Sequence, residues 1–172
     1  MENEIHMEEQ ILEMDKLYEE GEYVECKRRL LDLLDQEPGF GRAHHLIGCL
    51  YFYILDDQEK AAKHLRLAVK FAPGYPAGYV NYARVLNYLN RHEKIFELVS
   101  EALKVEGMNK CIILMELAKS YELNGDLKNA LRAYYEAERY AVTRHEVEEV
   151  RVGIKRLKSK KLRPLKRLLG IN

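Results

Sequence analysis

Across residues 117–137, apolar side chains recur at helical spacing on two separate faces. Leu117, Ala118 and Tyr121 fall at i, i+1 and i+4, and Ala130, Tyr134 and Ala137 at i, i+4 and i+7. That spacing predicts two short helices. Between them, Asn124, Gly125 and Asp126 supply a break: the glycine accepts the left-handed conformation that ends a helix, and the flanking residues bond locally to turn backbone. One such pair cannot bury its own apolar faces, so the pattern must continue. At a spacing of 35 residues upstream, Tyr82, Ala83, Leu86, Ile95, Val99 and Ala102 keep the size class of each key position. Further upstream come Ile47, Gly48 and Tyr51 at a spacing of 35, then Ala61, Leu65 and Ala68 at 34. The change in spacing puts one extra residue in the turn at Asp56 and Asp57, where an insertion costs little. Met14, Leu17, Gly21, Tyr23, Cys26, Leu30 and Leu33 form a first copy, closed by Pro38 as the second is by Pro73. Beyond residue 144 the repeat stops, but Val147, Val150, Ile154 and Leu157 continue a helical face suited to covering the open end of the last copy. Pro164 is expected to end that helix or to start one more short turn.

The alternation of small and large residues has a packing reason. Alanine or glycine on the first helix, and alanine or cysteine on the second, let the two backbones approach where they cross, while large neighbours fill the space on either side. Proline at the end of a unit stops the second helix. A helix-turn-helix period of 34–35 residues with these residues resembles the tetratricopeptide repeat family, across about residues 7–142. The fourth copy is the nearest match, with Leu117, Ala118, Tyr121, Gly125, Leu127, Ala130, Tyr134 and Ala137. There are departures. Glu13 sits where the first unit would carry a large apolar residue, Asn90 replaces the turn glycine of the third, and Gly107 and Val142 replace the closing prolines of the third and fourth.

The resemblance implies an all-α fold, a right-handed superhelical solenoid of about four units (7–40, 41–75, 76–110 and 111–143) followed by a basic capping helix and tail at 144–172. It also implies a concave groove lined by the first helix of each unit. Groove positions carried over residue by residue are Ile11, Asp15 and Tyr18, then Arg42, His45, Leu46, Cys49, Phe52 and Tyr53. Next come Asn81, Arg84, Asn87 and Tyr88, and finally Met115, Glu116, Lys119 and Glu122. Exposed aromatics suit a binding groove, although residues 45–55 are apolar nearly all round, which fits a buried central helix equally well. Some family members clamp a chaperone's C-terminal carboxylate with Lys, Asn and Arg at set positions. Here only Asn81 matches, so that clamp is not expected. The implied function is a non-catalytic protein-protein interaction module or scaffold holding a peptide or helix of another protein.

Composition adds limits. The 172 residues are 47% hydrophobic and 33% charged, with 4 prolines and 10 glycines, a helix-favouring balance. Cys26, Cys49 and Cys111 are far apart, which suggests neither a disulfide framework nor a thiolate zinc site. The acidic start lacks the basic opening and apolar core of a secretory signal, and the longest apolar run, ten residues, is about half a bilayer span. A cytoplasmic protein without a transmembrane segment is expected. The zero net charge hides asymmetry: residues 1–40 carry net −9 and residues 141–172 net +7, a pattern compatible with head-to-tail self-association or an anionic partner.

Candidate chemistry is sparse. His45 and Cys49 stand at i, i+4, a spacing open to a soft metal, but no third ligand is near in sequence. His145-Glu146 begins a zinc-protease pattern that fails at Glu149. No serine sits in a nucleophile elbow and no glycine-rich phosphate loop occurs, so no enzyme, metal or cofactor is expected. The basic tail holds Arg151, Lys155, Arg156, Lys158, Lys160, Lys161, Arg163, Lys166 and Arg167. It fits either a solvated capping helix or a strip that binds nucleic acid or an anionic surface. The absence of an aromatic residue there weakens recognition of single strands.

Overall fold

The computed structural model describes the backbone of residues 2–168 and the side chains of residues 6–162. Among the described residues there are nine helices and no strand. The chain divides into two compact units, Met1–Val85 and Leu86–Asn172, which are described in turn.

The first unit contains α1 (Glu2–Glu19), α2 (Tyr23–Gln36), α3 (Gly41–Tyr53), α4 (Gln58–Phe71) and most of α5 (Pro76–Tyr88). Turns of three to four residues join α1 to α2 and α3 to α4, so each pair folds back on itself as a hairpin. In the α3–α4 hairpin the crossing is as close as the small residues allow. A Cβ on Gly48 would stand 2.7 Å from Leu65 Cγ, and one on Gly41 would stand 2.5 Å from Ala72 Cβ. Ala43, Ile47, Leu50, Ala61 and Leu65 are wholly buried around that crossing. Each buried leucine or isoleucine contributes about 1.5–3 kcal/mol of apolar transfer. Asp57 starts α4 by accepting the Lys60 amide at 3.0 Å, a cap worth about 1 kcal/mol.

The second unit holds the end of α5, then α6 (His92–Ala102), α7 (Lys110–Leu123), α8 (Leu127–Glu138) and α9 (Arg144–Leu168). The core of α7, α8 and α9 joins Cys111, Leu114, Met115, Ala118, Ala130, Tyr134, Val150, Ile154 and Leu157. The face Val150, Ile154 and Leu157 therefore covers the last hairpin, as its spacing predicts. The helix departs from expectation at Pro164, which neither ends it nor starts a new turn: the backbone stays helical through to Leu168.

At Gly153, α9 lies against the Tyr134 ring, and a Cβ there would come within 2.5 Å of Cε1 and Cζ. Gly153→Ala is expected to push α9 off that ring. Overpacking costs about 1–3 kcal/mol, against about 1 kcal/mol returned by replacing a helical glycine. Faster amide exchange along α9, together with a lower melting temperature, would report the displacement. Unchanged protection would mean that the ring simply moves aside.

The turn residues keep the period. Gly21, Asp56, Asn90 and Gly125 all have positive φ, at +83°, +53°, +55° and +79°, and they stand 35, 34 and 35 residues apart. Aspartate and asparagine tolerate the left-handed region better than other side chains, which is why the hairpin turns survive the loss of glycine at two places.

Candidate functional site

In the first unit, side chains from α3 and α5 form one connected polar network. The Asn81 amide donates to His45 Nε2 at 2.8 Å and to Cys49 Sγ at 3.4 Å. Its oxygen accepts from the Tyr53 hydroxyl at 3.2 Å and from Arg84 Nη1 at 3.3 Å, and Arg84 Nη1 also reaches Tyr53 Oη at 3.3 Å. Tyr53 remains 48% exposed and has Phe52 edge-on at 4.8 Å between centroids. One end of the network is buried and the other is open. Burial pushes the His45 imidazole down to about 4, with the Arg42 charge adding to the effect, and pushes the Cys49 thiol up to about 12. At neutral pH the thiol keeps its proton and the imidazole is neutral. His45 and Cys49 touch at 3.5 Å, yet the pair supplies no thiolate, the species a cysteine nucleophile requires.

Arg42 lies at the start of α3. It pairs with Glu8 and Asp15 of α1 and sits over the Tyr75 ring at 5.6 Å from its centroid. Its Nε is buried without a hydrogen-bond partner. Burial raises the Asp15 carboxyl, with Arg42 opposing the shift. Ile11, Leu46 and Cys49, all assigned to the groove from sequence, are buried at 2%, 6% and 7% exposure. They shape the wall and do not offer contact surface.

In the second unit the groove positions are mostly occupied. Tyr88 is 61% exposed, but Asn87, Met115 and Glu116 are buried, which corrects the expectation that they face an open groove. Asn87 donates to the Glu116 carbonyl at 2.9 Å and to its carboxylate at 3.0 Å, and Lys119 caps the same carboxylate at 2.8 Å. Met115 joins the apolar cluster that α9 completes. Glu122 is held by Arg156 at 2.6 Å and Lys160 at 2.7 Å, with Arg156 also donating to Tyr134 Oη at 3.1 Å. Those bonds, led by the one to Arg156, hold the Glu122 carboxyl below its ordinary range. Two of the cations assigned to an anion-binding strip thus fasten α9 to the fold. Arg151, Lys155, Lys158 and Lys161 are exposed, and the side chains of Arg163, Lys166 and Arg167 lie outside the described residues.

Two clusters escape the sequence reading. His44 and His64 meet at 3.0 Å between α3 and α4, with His44 also bonded to the Pro38 carbonyl and the rings stacked on Phe71 and Tyr51. Glu146 accepts from the Val142 and Thr143 amides and from Asn109, while Thr143 Oγ1 accepts the Glu146 amide. This is a capping box, and its Thr-x-x-Glu spacing is present in the sequence. Among the described residues, no group of three or more His, Cys, Asp and Glu side chains is arranged to hold a metal ion. No helix among them is long and apolar enough to cross a membrane.

Helical hairpins whose left-handed turn residues recur every 34–35 positions define a helical repeat protein. Neither a protein-family model nor a curated protein sequence matches the chain. Solved structures do. A crystal structure of MamA superposes with a TM-score of 0.68 at 16% identity, covering 77% of this chain and 72% of that one. The thermophilic TPR protein TTC0263 of Thermus thermophilus gives 0.66 at 17% identity, with coverage of 90% and 82%. A double mutant of MamA, MamA RS-1 ArsTM, gives 0.65 at 12% identity, with coverage of 86% and 92%. The chain has the tetratricopeptide-repeat fold.

Proposed function

We propose that the chain is a non-catalytic interaction module, a cytoplasmic scaffold that holds a peptide or helix of another protein along the inner face of its first helices. The observation that carries this reading is the network of Tyr53, Asn81 and Arg84. An aromatic ring, an amide and a guanidinium are tied together in advance, with Tyr53 left half exposed. Such groups offer contact area and hydrogen bonds at little further entropic cost on binding. Arg42, with its unpartnered Nε, extends the same polar wall toward α1, and Tyr88 adds a second exposed ring. With Arg156 and Lys160 already paired to Glu122, an anion-binding tail has less support.

The triple variant Tyr53→Ala, Arg84→Ala, Tyr88→Ala tests this reading. Its folded content should match the wild type, while a partner retained from lysate by the wild-type chain should be lost, with affinity down at least about tenfold for each hot-spot residue worth more than about 1.4 kcal/mol. Retention of every partner by the triple variant would remove the inner face from consideration.

A further inference from the structure

The two ends of the chain carry opposite charge, and each also exposes apolar side chains. Residues 1–40 hold 13 acidic and 4 basic residues, net −9, and residues 141–172 hold 3 acidic and 10 basic, net +7. In the first unit some of that acid is engaged internally: Glu8 and Asp15 with Arg42, Glu13 and Glu25 with Arg29, and Asp32 with Arg28. Glu9, Glu19 and Asp35 are exposed and have no ion-pair partner among the described residues. They flank exposed apolar residues. Glu9, Leu12 and Glu19 share one face of α1, and Val24, Leu31 and Asp35 share one face of α2, with Leu12 63% and Val24 87% exposed.

In the second unit, α9 turns Val150, Ile154 and Leu157 inward. The exposed strip flanking that face carries Arg151, Lys155, Lys158 and Leu162 at i, i+4, i+7 and i+11, with Val152 alongside. Val152 is 50% and Leu162 52% exposed. Arg151 and Lys155 have no carboxylate partner among the described residues, and Lys158 lies over the Tyr135 ring at 5.7 Å from its centroid.

From this complementarity we infer that the exposed strip of α9 docks on the acidic α1–α2 face of a second copy of the chain. Burial of Val152 and Leu162 against Leu12, Val24 and Leu31 supplies the non-directional attraction. The lysines and carboxylates set orientation, encounter rate and salt dependence. A second copy fits better than nucleic acid: phosphates would leave the two apolar side chains of the strip unused, the tail has no stacking ring, and the acidic end of the same chain would repel a polyanion. Two different surfaces meet in this contact, so each added copy leaves one of each kind free, and the assembly either closes into a ring or extends. The contact uses neither Tyr53, Arg84 nor Tyr88, so it stands or falls separately from the binding role proposed above.

Mass measurement of the full chain by sedimentation and light scattering tests this. In low salt the mass should exceed the monomer and rise with concentration, and in about 0.5 M salt it should return to the monomer. A tail-reversed chain (Lys155→Glu, Lys158→Glu) and a head-reversed chain (Glu9→Lys, Asp35→Lys) should each be monomeric alone. Mixed in equal amounts, they should associate again, because one junction is intact and the other has its charges exchanged on both sides, which keeps opposite signs facing. A monomeric wild type at low salt, a dimer persisting in either variant alone, or no pairing in the mixture would overturn the inference. So would retention of mixed RNA by a wild type that stays monomeric. If a reversed chain loses its helical circular dichroism, Lys155→Gln with Lys158→Gln replaces it. Weakened association is then expected, and unchanged association would contradict the inference.

Discussion

Gly48→Val is expected to destabilise the first unit by about 3 kcal/mol or more, because the added side chain has to be accommodated where two helices cross in close contact. Even a single Cβ would meet Leu65 Cγ at 2.7 Å and the Leu65 amide nitrogen at 3.3 Å. Leu65 is fully buried, and the clash is with its branch point and its backbone, not the free end of a long side chain, so the helices themselves must separate. Gly48→Ala makes the sharper comparison. Helix propensity alone predicts stabilisation of about 1 kcal/mol, whereas packing predicts a net loss of about 1–2 kcal/mol. For a chain of this length, each kcal/mol moves the melting temperature by about 2–4 °C. Paired thermal melts of the alanine and valine variants decide the sign. An alanine variant that melts higher than the wild type would mean that the crossing has room to spare.

Acidification should cost the fold stability between about pH 6.5 and 4, before carboxylates contribute. Burial pushes His44 down, and it pushes both His45 and His64 to about 4, with Arg42 adding to the effect on His45 and His44 adding to it on His64. A group whose folded pKa is depressed below its unfolded value binds more protons when unfolded. The stabilisation it gives is therefore complete above about 6.5 and is lost as pH falls through the folded value. For His45, the more enclosed of the two, the loss approaches about 3 kcal/mol, and for His64 about half that, since part of each ring reaches solvent. Together this is a large fraction of the roughly 5–15 kcal/mol typical of a folded domain. Lys27 and Lys60 lie over the Tyr51 ring that stacks on His64, so protonation there adds charge beside two cations. The raised Asp15 carboxyl works in the opposite direction at the acidic end. Glu122 and Glu146, whose carboxyls are depressed, begin to lose their contribution only below about 4.5. Urea midpoints measured at pH 7, 6, 5 and 4 should fall steadily, and the slope should flatten in His45→Gln, His64→Gln. A midpoint constant from pH 7 to 5 would contradict the assignment of neutral, buried rings.

Much of the fold is legible in the sequence because it rests on size and backbone freedom, which are local properties. Gly48 marks a close approach that a larger residue would disturb, Ala61 and Ala130 are small residues wholly buried in the packed faces, and Gly21, Asn90 and Gly125 mark turns whose φ is positive. The placement of one extra residue at the Asp56 turn follows from spacing alone: α3 ends 35 residues before α5 does, while α4 begins 34 before α6. The site is less legible because it depends on what a helix meets. Met115 and Glu116 carry the spacing of groove residues, and they are covered only because α9 and Asn87 pack on them. Arg156 and Lys160 look like any members of a basic run until Glu122, 34 and 38 residues earlier, is found beneath them. His44 and His64, 20 residues apart, become partners only once α3 and α4 fold together.

The central claim is that the inner face around Tyr53 binds a partner protein. The most direct test places a photo-crosslinking phenylalanine analogue at Tyr53, at Tyr88 or at the exposed Tyr135 of α8 in otherwise intact chain, followed by mass spectrometry of the adducts. The same partner should be crosslinked from positions 53 and 88 and not from 135. Adducts to one partner from 135 alone, with none from 53 and 88, would contradict it.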